Sequence, residues 1–165
     1  MKKIFILTLL NFSIFSFAQS PLEKGEIQLN GGFESSNWAT PIYLGADYGI
    51  TKPITVGLEA SYQTYNTYGI KVNILGLQAN GNYHFNELLS IPSNWDVYSG
   101  LNLNYYSYSI KDSSSSITFN DDKPIGLGLQ IGGRYFINEK FGFNLEFRAG
   151  NVSSGGKIGV TYILQ

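Results

Sequence analysis

The chain has 165 residues, of which 43% are hydrophobic and 15% aromatic but only 14% charged, with 19 Gly, 12 Tyr, 11 Phe and no Cys. That is the length of one domain, too apolar for a disordered chain and too rich in Gly, Tyr and Asn for a helical bundle, so short strands joined by turns are the natural reading. A formal net charge of −1 without a basic patch argues against a nucleic-acid partner, and the absence of cysteine excludes a disulfide scaffold.

Residues 1–18 read as a cleaved signal peptide. Lys2 and Lys3 precede an apolar run from Ile4 to Leu10 that continues through Phe12, Ile14 and Phe15, and Ser16-Phe17-Ala18 supplies the small-residue ending. The run is shorter than the roughly 20 residues of a membrane span, which disfavours an uncleaved anchor. No Cys follows it, so a lipoprotein anchor is excluded too. Loss of the two leader lysines takes the net charge from −1 to about −3. Residues 19–24 are then expected as a short periplasmic segment, and residues 25–165 as a single β-barrel domain.

From Glu26 onward a period of two persists through eight segments, which is the repeat of strands. One set is apolar: Ile27, Leu29 and Phe33, then Ile42, Leu44, Ala46, Tyr48 and Ile50, then Ile54, Val56, Leu58, Ala60 and Tyr62. It continues with Leu75, Leu77, Ala79, Tyr83 and Phe85 in the fourth segment and Trp95, Val97, Leu101, Leu103 and Tyr105 in the fifth. The last three segments add Ile125 to Ile137, Phe141 to Ala149 and Ile158 to Leu164, read at alternate positions. In the fourth segment Ile70, Val72 and Ile74 run out of phase with Leu75 and Leu77, and a β-bulge near Ile74 is expected to restore the alternation.

The opposite set is small and polar rather than rich in Lys and Glu. It holds Gln28, Asn30 and Gly32, then Tyr43, Gly45 and Asp47, and, further on, Gln78, Asn80, Asn82, Asn102, Asn104 and Gln130 among many glycines. A soluble barrel would put the apolar set inside, whereas a transmembrane barrel puts it outside. The composition favours the second, because a narrow lumen can be filled by hydrogen-bonded polar side chains with Gly making room for its neighbours. In lipid only a closed sheet pairs every backbone group, and aromatics gather at the two interfaces. With strands alternating in direction, Tyr48, Tyr83, Phe85, Trp95, Tyr135, Phe141, Phe143 and Tyr162 fall toward one rim, and Phe33, Tyr62, Tyr105 and Phe147 toward the other.

Connections divide accordingly. Thr51-Lys52-Pro53 and Asn138-Glu139-Lys140 are tight turns expected on the periplasmic side, although the third connection there, Asn86 to Asn94, is long. On the other side the long polar stretch from Ser109 to Lys123 is the principal extracellular loop, with shorter loops near Ser35 to Thr40, Asn66 to Gly69 and Gly150 to Gly156. The expected architecture is an all-β, eight-stranded, antiparallel up-and-down transmembrane β-barrel.

The strands Ile125 to Tyr135 (IGLGLQIGGRY) and Lys157 to Tyr162 (KIGVTY), with the eight-segment layout, resemble the OmpA/OmpX-type outer-membrane barrels over about residues 25–165. One departure is the ending Ile163-Leu164-Gln165, where family members carry an aromatic residue; Tyr162 is the nearest aromatic. The resemblance implies export to the outer membrane of a Gram-negative cell through its assembly machinery. It also implies a monomer in contact with membrane lipid and lipopolysaccharide.

Four charged residues on the inward set, Glu59, Arg134, Glu146 and Arg148, are expected to form an ion-pair network filling the lumen, since unpaired charges in a dry barrel are too costly. Trp38, Tyr65, Tyr68, Tyr106 and Tyr108 near the outer rim are the candidate contacts for lipopolysaccharide or an extracellular partner. His84 is the only histidine, expected at the rim on the turn side; no catalytic residue, cofactor or metal is assigned. The Gly126 to Gly132 run has the wrong spacing for a phosphate loop and no helix after it. The function expected is non-enzymatic, structural or surface-interacting through the outer loops. The competing readings are a narrow small-solute channel, a lipid-modifying enzyme using His84 and a soluble lipocalin-like periplasmic binder.

Overall fold

The computed structural model describes residues 22–36, 40–67, 70–111 and 125–164. The signal-peptide reading therefore lies outside the described residues. Eight strands, β1 (Ile27–Ser36), β2 (Ile42–Thr51), β3 (Ile54–Thr67), β4 (Ile70–His84), β5 (Trp95–Lys111), β6 (Ile125–Phe136), β7 (Phe141–Gly150) and β8 (Gly155–Leu164), pair in sequence order. β1 also pairs antiparallel with β8, from Ile27↔Leu164 to Ser36↔Gly155, and this closes the barrel. A single-turn helix, α1 (Asn86–Leu89), interrupts the β4–β5 connection. Closure leaves no sheet edge, as a backbone surrounded by hydrocarbon requires.

The alternation read from the sequence becomes an inside and an outside. Leu44, Leu58, Leu101, Leu127 and Leu129 project outward, with Leu58 71% exposed, while the residues between them face the lumen. The chain is thus a transmembrane barrel whose apolar face is its exterior, not a soluble barrel with a greasy centre. Aromatic rings pair on the exterior at the turn end: Tyr83 with Phe85 at 5.2 Å, Trp95 with Tyr135 at 4.8 Å and Phe141 with Phe143 at 5.9 Å between centroids. Such a girdle matches the interface between hydrocarbon and water.

One expectation fails. The β3–β4 register runs without a shift through Tyr62↔Leu75, Gln63↔Ile74 and Thr64↔Asn73, so there is no bulge at Ile74. Val72 and Ile74 instead lie buried inside the barrel mouth. The reason is length: β3, β4 and β5 have 14, 15 and 17 residues, more than the roughly 9–11 of a span. Beyond the hydrocarbon the outer face need not be apolar, and Asn73 there accepts hydrogen bonds from Tyr62 (3.2 Å) and Thr64 (2.8 Å). The register irregularity that does occur lies on β2 between Gly49 and Thr51, beside the turn.

Apolar side chains also seal the turn end from within. Leu22 tucks against Phe136 and Ile163, all three buried. The segment is tied to the barrel by Gly25 N–H donating to the Gly49 carbonyl (2.9 Å) and Gly49 N–H to that of Glu26 (3.0 Å).

Candidate functional site

The lumen is where the polar residues of every strand converge, and it is organised in three clusters along the barrel axis. Nearest the turn end, Arg134 on β6 is 3% exposed. Its Nη1 donates to Asp96 Oδ2 at 2.9 Å and its Nη2 to Asp47 Oδ2 at 2.7 Å. In the orientation that satisfies both groups, the Gln28 amide oxygen accepts from Arg134 Nε at 3.1 Å. The guanidinium also lies over the Tyr98 ring, 4.4 Å from its centroid. Asp47 accepts further from Asn30 (2.9 Å) and Asn80 (3.2 Å). A planar five-donor guanidinium is suited to such a site because it can serve two carboxylates, an amide and a ring face together.

Two glycines make the packing possible. Tyr98 can lie across the barrel only because Gly132 on the neighbouring strand has no side chain: a Cβ there would overlap the Tyr98 ring. Gly159 plays the same part beside Tyr43, where a Cβ would come within 2.6 Å of the phenolic oxygen.

The Tyr98 hydroxyl donates to Glu146 Oε2 at 2.8 Å and so links the first cluster to the second. There Lys157 on β8 sits between two carboxylates, 2.6 Å and 2.8 Å from the oxygens of Glu59 and 3.2 Å from Glu146 Oε1. Its Nζ lies 5.3 Å from the Tyr43 ring centroid, and the Tyr43 hydroxyl donates to Asn144 at 2.9 Å. Toward the loop end, Arg148 pairs with Glu34 and donates from Nη1 to Gln78 at 2.8 Å. Amides bridge the levels: Gln130 donates to Asn82 (2.6 Å) and accepts from Asn102 (2.9 Å).

The structure thus brings Glu59 and Glu146 together through Lys157, and it sets Arg134 and Arg148 apart in clusters of their own. Their partners Glu34, Asp47, Asp96 and Lys157 were not singled out by sequence reasoning. A signal existed, since all four continue the inward parity of their strands: Glu34 after Gly32, Asp47 after Gly45, Asp96 before Tyr98 and Lys157 before Gly159.

His84 ends β4 on the turn side, as expected, but it is enclosed rather than exposed at a rim. It is buried inside the barrel, with Nδ1 2.7 Å from Asp96 Oδ1 and Nε2 3.0 Å from Thr55 Oγ1. The inward parity of β4 extends to its last residue, and Asp96 directly across the β4–β5 junction holds the imidazole there. Hydroxyl, imidazole and carboxylate in this order make the relay used by nucleophilic hydrolases. Here, however, Thr55 is 0% exposed, so its hydroxyl is shielded from solvent inside the barrel. Among the described residues no group of three or more His, Cys, Asp and Glu is arranged to hold a metal ion.

The internal void between the first two clusters, lined by Asp47, Glu59, Tyr98, Arg134, Glu146 and Lys157 among others, measures about 20 Å³, room for about one water molecule. A second void of about 40 Å³ opens at the loop end between Glu34, Gln63, Ile74, Tyr106, Tyr108 and Val152. Tyr106 and Tyr108 therefore line the mouth of the barrel from within. Trp38, Tyr68 and the side chain of Tyr65 lie outside the described residues.

No family model matches the chain, and no curated protein matches it. Solved structures do. The outer membrane protein OprG from Pseudomonas aeruginosa is 17% identical with a TM-score of 0.65, over 87% of this chain and 98% of that one. Neisserial surface protein A is 16% identical with a TM-score of 0.56, over 84% and 94% of the two chains. A de novo designed transmembrane β-barrel is 12% identical with a TM-score of 0.59, over 86% and 98%. At these identities the likeness is one of fold, the closed eight-stranded β-barrel that these outer-membrane proteins share.

Proposed function

We propose that this chain is exported to the outer membrane, where it serves as a non-enzymatic structural or surface-interaction protein and acts through the loops at its open end. The observation that carries this reading is the filled lumen. Among the described residues, three ion-paired clusters fill the lumen around a void for about one water, and Leu22, Phe136 and Ile163 pack as an apolar plug at the turn end. What remains available to a partner is the loop end, where Tyr106 and Tyr108 line an open mouth and residues 112–124 connect β5 to β6. Lipopolysaccharide and membrane lipid are the partners proposed, with an extracellular ligand engaged by the loops. Burial of Thr55 and His84 supports a positioning role for this pair rather than catalysis.

Planar-bilayer recording of the purified barrel tests the reading directly. The expected trace is flat at both polarities; steady unitary conductance, raised further in Arg134→Ala or Glu59→Ala, would establish a channel instead. Deleting residues 112–121 is expected to leave the heat-modifiable gel mobility of the folded barrel intact while weakening binding to lipopolysaccharide. Unchanged binding after the deletion counts against the loop as the interacting element.

A further inference from the structure

We infer that the β4–β5 connection is a membrane-contacting element, with α1 laying an apolar face into the lipid leaflet at the turn end of the barrel. The inference goes beyond the loop-end role and rests only on the transmembrane fold. Turns on this side of the barrel are otherwise tight, with Lys52 and Pro53 alone between β2 and β3 and residues 137–140 between β6 and β7, whereas this one spans residues 85–94. Its length has a physical use in where it puts Leu88 and Leu89, which are 66% and 62% exposed.

The helical turn starts at Phe85: the Leu89 N–H donates to the Phe85 carbonyl at 2.9 Å. Residues three and four apart share a helix face, so Leu88 and Leu89 lie on the side of Phe85. The Phe85 ring in turn packs edge-on against Tyr83, the outward-facing residue of β4 in the aromatic girdle. The apolar exterior of the barrel therefore continues without a break from Tyr83 through Phe85 onto α1. The connection is also fixed in place. Asn86 is buried, donates from Nδ2 to the Trp95 carbonyl and accepts at Oδ1 from Val97 N–H (3.2 Å), clamping the turn to the start of β5. Glu87 takes the other edge of the turn, 3.9 Å from Lys52 on the neighbouring connection. Apolar outward and charged toward the adjacent turn is the arrangement of an interfacial helix at the boundary of headgroups and acyl chains. The occupant of the face is that boundary, which the girdle beside it already meets.

Since the chain has no cysteine, single-cysteine variants can be labelled with an environment-sensitive fluorophore without further substitution. Leu88→Cys, Glu87→Cys and, on the β6–β7 turn, Glu139→Cys would be refolded into vesicles of phosphatidylethanolamine and phosphatidylglycerol, with gel mobility confirming the barrel. Spin-labelled phospholipid is expected to quench the probe at 88 roughly threefold more than at 139, as a face sunk about 5–10 Å into the interface requires. Aqueous iodide is expected to quench the probes at 87 and 139 and to spare 88. Equal iodide quenching at 88 and 139 would overturn the assignment and leave the leucines to a soluble partner. Lipid quenching of 87 as strong as that of 88 would overturn the facial arrangement. Loss of the folded gel mobility in all three variants, with no vesicle insertion, would refute the transmembrane fold on which the inference rests.

Discussion

Arg134 is held by two carboxylates, an amide and an aromatic face in a space without bulk water, so its removal exposes what it neutralises. Arg134→Leu leaves Asp47 and Asp96 buried and facing each other without their shared cation. Breaking a buried pair in this way costs about 3–5 kcal/mol. Urea unfolding in lipid vesicles should show that loss. Gly132→Val acts through shape instead. The new side chain meets the Tyr98 ring, and overpacking of this kind costs about 1–3 kcal/mol. Tyr98 then loses its bond to Glu146 and its stacking beneath Arg134, so a folding defect smaller than that of Arg134→Leu is expected in the same assay. At this scale the residue types were legible, since an inward set of Gly, amides and a few charges of both signs reads as a packed polar interior. Which charge meets which was not. Arg134 and Asp47 lie 87 residues apart in sequence, and only the register across several strands brings them within 2.7 Å.

Strands carry the next level of information, because a period of two assigns each residue to a face and the surroundings decide what that face must be. Lipid-facing positions are depth-dependent in their tolerance of charge. Leu129, outward in the middle of β6, and Ile137, just past its end, make a matched pair. Leu129→Arg should cost about 2–4 kcal/mol and Ile137→Arg about 0–1 kcal/mol, measured as shifts in unfolding free energy in vesicles. Equal penalties at the two positions would show that the apolar belt is not where the strand alternation puts it. The upper half of β4 marks the limit of the same logic. Val72 and Ile74 broke the apolar phase and invited a bulge, yet the ladder is continuous and the pair faces inward. An apolar residue says that it avoids water; it does not say whether lipid or a packed interior shields it. At the barrel mouth Tyr106 and Tyr108 supply the interior alternative.

For the whole molecule the two ends of the lumen differ. The turn end is stoppered by Leu22 against Phe136 and Ile163, while the loop end opens between Tyr106, Tyr108 and Ile74. Leu22→Ala should therefore destabilise the barrel by about 2–5 kcal/mol, as truncation of a buried leucine does, and increase hydrogen exchange at Gly25 and Gly49. Retained protection of those amides would mean that the segment before β1 is held by its backbone bonds alone. A barrel plugged at its turn end leaves the loop end as the side on which the proposed loop-borne interaction would act.

Alternation, turn chemistry and the scarcity of charge sufficed to determine that this chain forms eight strands with a greasy exterior and a polar interior, because those properties depend on neighbours along the chain and on the solvent each face meets. The tertiary structure alone decided that Lys157 stands between Glu59 and Glu146, that His84 shares Asp96 with Arg134, and that Leu22 folds back as a plug. These contacts join strands distant in sequence, and closing β1 onto β8 sets their register through hydrogen bonds that no local pattern encodes.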